Sequence, residues 1–280
     1  MNIYQNNKPI AILMAVYNGE KYLNAQIDSI LRQTNTDWTL YIRDDGSKDR
    51  TANIIKEYTD NYHNIIQIED NDGNLGCRGN FFRLLEVVES QYYMFSDADD
   101  VWFENKVQIS YDTIRNIDNG ENRPIIVHTT YSVTDQDLNV KIENYWEATH
   151  FVPEKFYSYN LIALANPVGG AEMIFNHYLK TLLFPLANNT LLHDRWIPMV
   201  AAKNNGIFKA IHQPVLYYRM HSDNLYGVQQ VKAEGLNLWE RLKRVYKTNK
   251  LVADKLVQAG WGSYMKYIIY KVVYMYKRRV

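Results

Sequence analysis

The sequence contains one cysteine and no long apolar run. Cys77 is the only cysteine among 280 residues, and no stretch of 18 residues is free of charged side chains. A single cysteine excludes intramolecular disulfides and zinc sites made of several cysteines, and it is compatible with a reducing compartment. The N-terminal segment also lacks the basic start and apolar core of a signal peptide. We therefore expect a cytoplasmic protein that is neither secreted nor membrane-spanning.

The chain as a whole has no net charge, but its charges are unevenly distributed along the sequence. The 31 basic and 31 acidic residues balance, and 46% of the residues are hydrophobic, which is typical of a globular protein and excludes disordered and collagen-like chains. Residues 241–280, however, contain eleven Lys and Arg residues against one acidic residue, Asp254. This segment therefore carries a net charge of +10, and the preceding 240 residues carry −10.

The first hundred residues alternate short apolar runs with segments of helical periodicity. Continuous apolar runs are typical of buried parallel strands, and apolar residues three and four apart are typical of amphipathic helices. The pattern predicts strands at 10–16, 38–42, 65–68 and 92–95, and helices at 20–33, 51–58 and 80–88. Such an alternation favours an open parallel sheet built from βαβ units, in which ligands bind at the carboxyl ends of the strands.

Beyond residue 100 the alternation weakens, and the pattern predicts a mixed α+β region. We expect strands at 125–133, 140–146, 207–211 and 215–219, a helix at 191–202, and helices from 235 onward with a break at 260–262. The prediction is an α/β protein with a main domain at 1–230, whose pattern changes near residue 100, and a basic helical extension at 231–280.

Acidic residues follow two of the predicted strands. Asp97, Asp99 and Asp100 come directly after the fourth strand, where crowded carboxylates suit a hard divalent cation that also holds phosphates. The alternative is an acidic loop in which Asp99 or Asp100 caps a helix that begins near Val101. After the second strand, Asp45 belongs to an Asp-Asp-Gly-Ser segment that is either a turn or a nucleotide contact. No GxGxxG or GxxxxGK[ST] motif is present to hold phosphates instead.

Taken together, these motifs resemble the family 2 glycosyltransferases of the GT-A fold. The resemblance is to the bacterial rhamnosyltransferase-like branch, which builds capsule, O-antigen and other surface polysaccharides. The matching stretches run in the family's order from Ile12 to Asn224, about three quarters of the chain: ILMAVYNGEKYLNAQIDSILRQT, RDDGSKDRT, DNDGNLGCRGNF, YMFSDADDVW, LLHDRW and YRMHSDN. The resemblance implies a GT-A catalytic domain at 1–230, with a nucleotide-sugar half at about 1–100, which contains the nucleotide-binding sheet, and a mixed acceptor-binding half at about 101–230.

The resemblance also implies roles for individual residues. Asp194 is the expected catalytic base, and Asp99 and His221 are the expected ligands of a divalent metal, Mn²⁺ or Mg²⁺. The nucleotide sugar is expected to contact a group of four residues, with Asp45 at the base, Tyr17 and Glu20 lining the base and ribose, and Asp97 near the ribose. Without the family, Asp194 is interpreted as an ordinary helix N-cap, and a solvated loop histidine is the favoured interpretation of His221.

Two departures from the family's usual motifs affect specificity. Arg195 stands where the family usually has the first Trp of His-Asp-Trp-Trp, and Ala98 replaces the Gln of Ser-Asp-Gln-Asp-Asp. Both acids of the Asp-x-Asp core of the second motif, Asp97 and Asp99, are kept. With Asp194 as the base and a metal ion on Asp99, the resemblance implies an inverting displacement without a covalent intermediate. The first candidate donor is dTDP-L-rhamnose, and the alternative is UDP-galactose, UDP-glucose or another UDP-hexose.

Two further classes are weaker alternatives. A nucleotidyltransferase would need a Gly-rich basic loop that is absent from residues 10–22, and a nucleic-acid binder is disfavoured by the acidic first 240 residues.

The basic C-terminal segment has two interpretations. Helical spacing places five apolar residues on one face of 261–280, among basic residues: Trp261, Met265, Ile268, Val272 and Tyr276. Such a helix suits an anionic membrane surface, and predicts peripheral association with the inner face of the plasma membrane, where lipid-linked saccharide acceptors lie. In the alternative, the many tyrosines pack on the main domain or on a second subunit.

Overall fold

The structure is a computed structural model that describes residues 3–70, 72–186, 190–221 and 238–279, with side chains from 246 onward in the last range. The predicted boundary at 230/231 and the end of the last motif, 222–224, lie outside the described residues. The elements in chain order are β1 (Tyr4–Gln5), β2 (Ile10–Val16), α1 (Leu23–Leu31), β3 (Trp38–Asp44), α2 (Thr51–Asn61), β4 (Ile65–Gln67), α3 (Gly76–Val87), β5 (Val88–Glu89), β6 (Tyr92–Asp97), β7 (Val101–Trp102), α4 (Lys106–Ile117), β8 (Ile125–Thr134), β9 (Val140–Ile142), α5 (Tyr145–Ala148), a 3₁₀ turn (Pro153–Phe156), α6 (Tyr159–Ala165), β10 (Met173–Asn176), α7 (His177–Thr181), α8 (His193–Lys203), β11 (Ile207–Arg219), α9 (Leu238–Gln258) and α10 (Tyr264–Arg279).

The main sheet has the order β4-β3-β2-β6-β10-β8-β11-β7, with β9 added beside β8. The pairs β4–β3, β3–β2 and β2–β6 are parallel, which confirms the predicted parallel sheet of the first hundred residues. Val16 is opposite Asp44, and Ala15 is opposite Asp97. The loops after β2, β3 and β6 therefore leave the sheet at the same edge.

Both faces of the parallel strands are covered, which explains why β2 is apolar throughout. Ile12 and Met14 belong to the core on the side of α1, α2 and α4. Ala11 and Leu13 belong to the core on the opposite side, which α3, α7 and α8 cover. Because successive side chains of a strand point to opposite faces, burying both faces requires an uninterrupted apolar run.

The second half is mixed, as expected, but two predicted strands differ. The strand predicted at 140–146 ends at Ile142, because the Asn144 side chain accepts hydrogen bonds from the backbone N–H groups of Trp146 and Glu147 and starts a short helix. The strands predicted at 207–211 and 215–219 form one strand, β11, which pairs with β8 through register shifts on either side of Pro214. Proline lacks a backbone donor, and a bulge accommodates it within the ladder.

The C-terminal residues form two helices, and the predicted break is confirmed. Gly260 and Gly262 between α9 and α10 have φ angles of +76° and +153°, which favour glycine. Tyr267 of α10 is buried in an apolar cluster with Ile162 of α6 and Leu256 of α9. None of the helices in the described ranges is long and apolar enough to cross a bilayer.

Candidate active site

Hydrogen bonds hold the loops after β2 and β3 together. Ser47 Oγ accepts from the Asn18 N–H at 2.8 Å, and Asn18 Oδ1 accepts from the Lys48 N–H at 2.8 Å. Glu20 takes part in the same contact, because its Oε2 accepts from the Arg50 N–H at 3.1 Å. Tyr17 is 54% exposed beside these contacts. Of the two side chains predicted to line the nucleotide, Tyr17 is open to a ligand and Glu20 also joins the two loops.

Asp45 is buried and held in a fixed orientation at the start of α3. Its Oδ1 accepts from the Leu75 N–H and its Oδ2 from the Gly76 N–H, both at 2.8 Å. Arg43 donates to the same Oδ1 at 2.8 Å and also pairs with Asp70 at 2.8 Å. The hydrogen bond from Arg43 is the main cause that lowers the pKa of Asp70 to about 2. Sequence analysis missed both Arg43 and Asp70, although an arginine within an apolar strand was a usable signal.

The acidic residues after β6 have different surroundings. Asp97 is half-buried, and desolvation followed by repulsion from Asp99 and Asp194 raises its pKa to about 7. Asp100 is 1% exposed, and its Oδ1 accepts from the Arg219 N–H at 3.3 Å. Desolvation and the two neighbouring aspartates raise the pKa of Asp100 well above its usual range. The helix-cap alternative for this loop is wrong, because β7 follows it and the next helix begins only at Lys106.

Asp99 and His221 meet although 122 residues separate them in the chain. His221 Nε2 lies 3.0 Å from Asp99 Oδ2. The His221 side chain is only 7% exposed, and its ring lies 4.7 Å from the ring of Tyr22. Arg219 Nε donates to the Asp99 carbonyl at 3.0 Å and holds the loop from the other side. His221 is therefore not a solvated loop histidine.

Asp194 lies in the first turn of α8 and is not its N-cap. The N-cap is Leu192, which makes no side-chain cap hydrogen bond. Asp194 Oδ2 instead accepts from Asn166 Nδ2 at 3.1 Å. Asn166 ends α6 in the left-handed conformation, with φ of +45°. The helix-cap alternative is therefore wrong, and the carboxylate is oriented toward the cluster in which it acts on the pKa of Asp97.

His193, next to Asp194, is a buried packing residue. Its ring centroid lies 4.1 Å from that of Phe81 and 4.8 Å from that of Phe95. Desolvation lowers the pKa of His193 to about 4, although Asp194 opposes the change, so the imidazole is neutral near pH 7. A side chain at Gly170 would overlap His193 Nε2, which explains the glycine at that position. His193 thus fixes the start of α8, on which Asp194 is carried.

Cys77 of α3 is exposed near the acidic cluster. Partial desolvation of its thiol, followed by the charges of Asp97 and Asp194, raises the pKa of Cys77 to about 12. Two residues that were not predicted from the sequence, the buried Lys106 and the half-buried Glu172, also interact electrostatically with the cluster. Lys106 begins an amphipathic helix and Glu172 precedes a short strand, so neither carries a signal in the sequence.

The chain is similar to known glycosyltransferases. The model of the family "Glycosyl transferase family 2" matches residues 11–168, more than half of the chain. A dTDP-rhamnosyl transferase, RfbG of Shigella flexneri, is 28% identical over 266 residues, covering 89% of this chain and 88% of RfbG. A UDP-Glc:alpha-D-GlcNAc-diphosphoundecaprenol beta-1,3-glucosyltransferase, WfgD of Escherichia coli, is 32% identical over 100 residues, covering 36% of this chain and 38% of WfgD.

The fold also resembles solved structures. The crystal structure of S. aureus TarS 1-349 in complex with UDP-GlcNAc superposes with a TM-score of 0.56 at 17% sequence identity. The match covers 89% of this chain and 66% of the TarS chain, so this chain spans only part of the length of that structure. At 17% identity the similarity to TarS shows a common fold only. Membership of the family is shown by the match to the family model. This α/β chain therefore belongs to glycosyl transferase family 2, and it is a glycosyltransferase.

Proposed function

We propose that this protein is an inverting, metal-dependent glycosyltransferase that transfers a sugar from a nucleotide sugar to a growing bacterial surface polysaccharide, such as a capsule or O-antigen. The observation that carries the proposal is the convergence of Asp194, and of Asp99 paired with His221, on one acidic cluster around Asp97. The cluster lies at the carboxyl edge of the parallel strands, where such sheets bind ligands.

The nucleotide is proposed to bind over the loops after β2 and β3. Tyr17 offers an exposed ring, and Asp45 keeps acceptor capacity on Oδ2, which receives one backbone hydrogen bond. A pyrimidine base has N–H groups from which such a carboxylate oxygen can accept a hydrogen bond. Glu20 and Asp97 are proposed to face the base, ribose and diphosphate from the two sides.

The donor is proposed to be dTDP-L-rhamnose. Support comes from RfbG, a named dTDP-rhamnosyl transferase that matches over 88% of its length. A UDP-hexose such as UDP-glucose or UDP-galactose is the alternative, because WfgD is a named UDP-Glc enzyme and TarS was solved with UDP-GlcNAc.

Asp99 and His221 are proposed to hold a divalent ion, Mn²⁺ or Mg²⁺. A carboxylate oxygen and an imidazole nitrogen are ligands that first-row divalent ions accept. Over the described part of the chain, no group of three or more His, Cys, Asp and Glu side chains is arranged to hold a metal. Two protein ligands suit an ion whose other ligands are water and diphosphate oxygens. When bound, such an ion neutralises charge on the departing diphosphate.

Asp194 is proposed to act as the general base. Its carboxylate takes the proton of the acceptor hydroxyl while that oxygen bonds to the anomeric carbon, and the bond from this carbon to the diphosphate oxygen breaks. Attack opposite the leaving group inverts the anomeric configuration. The hydrogen bond from Asn166 holds one carboxylate oxygen, so that the other can face the acceptor.

The acceptor is proposed to be a lipid-linked saccharide that the protein meets at an anionic membrane surface. The outward face of α10 supports this, because Met265, Ile268, Val272 and Tyr276 are 66, 57, 57 and 68% exposed. The opposite face packs on α6, whose last turn leads to Asn166 and hence to the proposed base. Trp261 is only 2% exposed and does not belong to the outward face.

An anionic membrane fits this face better than a second copy of the chain does. Residues 241–280 carry a net charge of +10, so a symmetric dimer through α10 would bring two strongly positive segments together. Lipid headgroups of opposite charge would instead be attracted, while the apolar side chains enter the interface.

The test is donor binding measured by calorimetry with dTDP-L-rhamnose, UDP-glucose, UDP-galactose and a GDP-sugar, with and without Mn²⁺. Mn²⁺-dependent binding of one donor, followed by transfer to a lipid-linked saccharide, would support the proposal. Absence of binding by all donors, together with salt-dependent binding of RNA or DNA, would favour the nucleic-acid alternative.

A further inference from the structure

Glu172 has no role in the proposed mechanism, although it lies beside the acidic cluster. Glu172 directly precedes β10, and its backbone carbonyl accepts from the Thr129 N–H of β8 at 3.3 Å. Its carboxylate folds back over its own loop, where Oε2 accepts from the Gly169 N–H at 3.3 Å. A Cβ at Gly169 would overlap this carboxylate, so glycine at 169 leaves the space that the Glu172 side chain occupies.

Lys106 holds the loop before β10 in place through a hydrogen bond to its backbone. This lysine is fully buried, its Nζ donates to the Ala171 carbonyl at 2.8 Å, and it lies 4.7 Å from the centre of the Trp102 ring. Its ammonium is directed at a backbone oxygen, one residue before Glu172. Lys106 is therefore a positioning residue for the segment that carries Glu172.

The segment that carries Glu172 lies beside both halves of the proposed reaction. Gly170 packs on His193, the residue before Asp194. Strand β10 pairs antiparallel with β6, with Ile174 opposite Met94, and this register brings Glu172 level with Ser96, one residue before Asp97. Glu172 interacts electrostatically with Asp97, at the end of β6, and with Asp194, in the first turn of α8. The remaining charged or titratable groups around it are Lys106 of α4, Asp100 after β6, Tyr131 of β8 and Tyr218 of β11. In the proposed reaction the transferred sugar lies between the nucleotide near Asp97 and the base Asp194, and the segment of Glu172 adjoins both of these residues.

The surroundings favour a neutral carboxyl at this place. Desolvation, together with the charges of Asp194 and Asp97, raises the pKa of Glu172 to about 8, although the Gly169 N–H and Lys106 oppose the change. A neutral carboxyl both donates and accepts a hydrogen bond, whereas a carboxylate only accepts. A hydroxyl of a sugar can satisfy both functions at once.

We propose that the Glu172 carboxyl forms a hydrogen bond with a hydroxyl of the transferred sugar and thereby helps to select the donor sugar. This role rests on the proposed function and concerns the sugar, whereas Tyr17 and Asp45 are assigned to the nucleotide. A sugar without a matching hydroxyl leaves the half-buried carboxyl with the Gly169 N–H as its one hydrogen-bond partner among the described residues, and the affinity for that sugar falls.

The experiment compares Glu172→Gln and Glu172→Ala with Glu121→Gln, a control at an exposed glutamate. Calorimetry measures two dissociation constants for each protein, one for the nucleotide sugar that the wild type binds and one for the matching nucleoside diphosphate. We expect Glu172→Ala to weaken binding of the nucleotide sugar about 10-fold and to leave binding of the diphosphate unchanged. The unchanged diphosphate affinity also shows that the variant is folded.

A pH series separates this role from simple packing. The wild type is expected to lose affinity for the nucleotide sugar as the pH rises through about 8 and Glu172 ionises. Glu172→Gln keeps a neutral donor, and is expected to bind within about 3-fold of the wild type at pH 7 without that decline. Lysine and tyrosine neighbours remain in all variants, so only a decline that Glu172→Gln abolishes belongs to Glu172.

Three outcomes would overturn the inference: equal loss of both ligands in Glu172→Ala, unchanged binding of both ligands, or a Glu172→Gln variant as weak as Glu172→Ala. These outcomes differ from a failure of the proposed function, in which the wild type itself binds no nucleotide sugar and no nucleoside diphosphate.

Discussion

Carboxylates of this protein differ in protonation because their neighbours differ. Asp70 accepts from Arg43 and Arg83, and its pKa is lowered to about 2. Asp97 is half-buried among other acids, and its pKa is raised to about 7. Crowding of like charges at a partly desolvated place is unfavourable, and strongly shifted pKa values are concentrated at functional sites. The acidic cluster therefore supports the proposed reaction site more strongly than any single residue does.

Replacing the proposed base should separate chemistry from binding. Asp194→Asn keeps the size and polarity of the side chain but removes the proton acceptor, so we expect kcat to fall by about 10²-fold or more. Binding of the nucleotide sugar, measured by calorimetry, should stay within a factor of about two. Asp112→Asn, on the helix α4 away from the cluster, is the control. Normal turnover by Asp194→Asn would show that another group takes the proton.

Removing a proposed metal ligand should act on binding instead. Asp99→Ala is expected to abolish the Mn²⁺-dependent part of donor binding, and His221→Ala to weaken it about 10-fold or more. Calorimetry with and without Mn²⁺ gives both values. Since His221 also packs against Tyr22, a thermal unfolding curve of each variant tests whether the fold is kept. Unchanged Mn²⁺ dependence in a folded Asp99→Ala protein would disprove the metal assignment.

The proposed functional groups lie at the ends of helices and strands. Asp97 ends β6, Asp194 lies in the first turn of α8, and Asn166 follows α6. The segment before α3 depends on a buried arginine in the same way, because Arg43 of β3 joins Asp45, Asp70 and the Gly73 carbonyl. Loss of that side chain would leave two carboxylates without their main partner and would loosen the proposed nucleotide loop.

Arg43→Ala is therefore expected to destabilise the protein by about 3–5 kcal/mol, the usual loss when one partner of a buried ion pair is removed. Chemical denaturation measures this change. Lys56→Ala, which breaks a pair whose side chains are 73 and 60% exposed, should change the free energy of unfolding by less than about 1 kcal/mol. Equal effects of the two variants would contradict a structural role for the Arg43 pairs.

The same pairs predict a dependence on pH. The pKa of Asp70 is lowered to about 2 in the folded protein, below its ordinary value of 3.8. The contribution of ionised Asp70 to the stability of the folded protein is therefore fully present above pH 3.8 and is lost as the pH falls through about 2. Unfolding curves between pH 5 and pH 2 should show a steeper loss for the wild type than for Asp70→Asn. Parallel curves would argue that Asp70 does not titrate with unfolding.

The uneven charge of the chain sets the orientation proposed at a membrane. An acidic body and a basic C-terminal segment would turn α9 and α10 toward anionic lipids by long-range attraction. The two interpretations of α10 apply to different faces of the helix. Three tyrosines on one face pack on the domain, Tyr267, Tyr270 and Tyr274, whereas the face that contains Ile268 and Val272 is exposed. Packing and membrane binding are therefore compatible uses of one helix.

A double variant, Ile268→Ser with Val272→Ser, tests the exposed face. Both side chains are 57% exposed, so we expect little change in unfolding temperature but at least about a 10-fold loss of binding to vesicles rich in anionic lipid. Sedimentation with the vesicles measures the partition, and neutral vesicles control for charge. Unchanged partition with a lower oligomeric mass would identify the face as a subunit contact instead.

Sequence patterns predicted much of this fold because they report local physics. The apolar run at 10–16, the helical spacing of 191–202 and the glycines at 260 and 262 each state a preference of a short segment, and the structure agrees with them. The short motifs in their order also indicated the family. The strand predicted at 140–146 was wrong beyond Ile142, because the Asn144 cap outweighed the strand propensity of the following aromatic residues.

Contacts between distant segments were decided by tertiary structure alone. His221 faces Asp99 across 122 residues, and Asp70 meets Arg43 across 27. Lys106 and Glu172 look like ordinary surface residues in the sequence, yet the sheet brings them beside the proposed reaction site, where desolvation changes their pKa values. Periodicity and composition describe each segment by itself. Only the packed sheet sets which segments exclude water from one another, and this exclusion makes ordinary side chains functional.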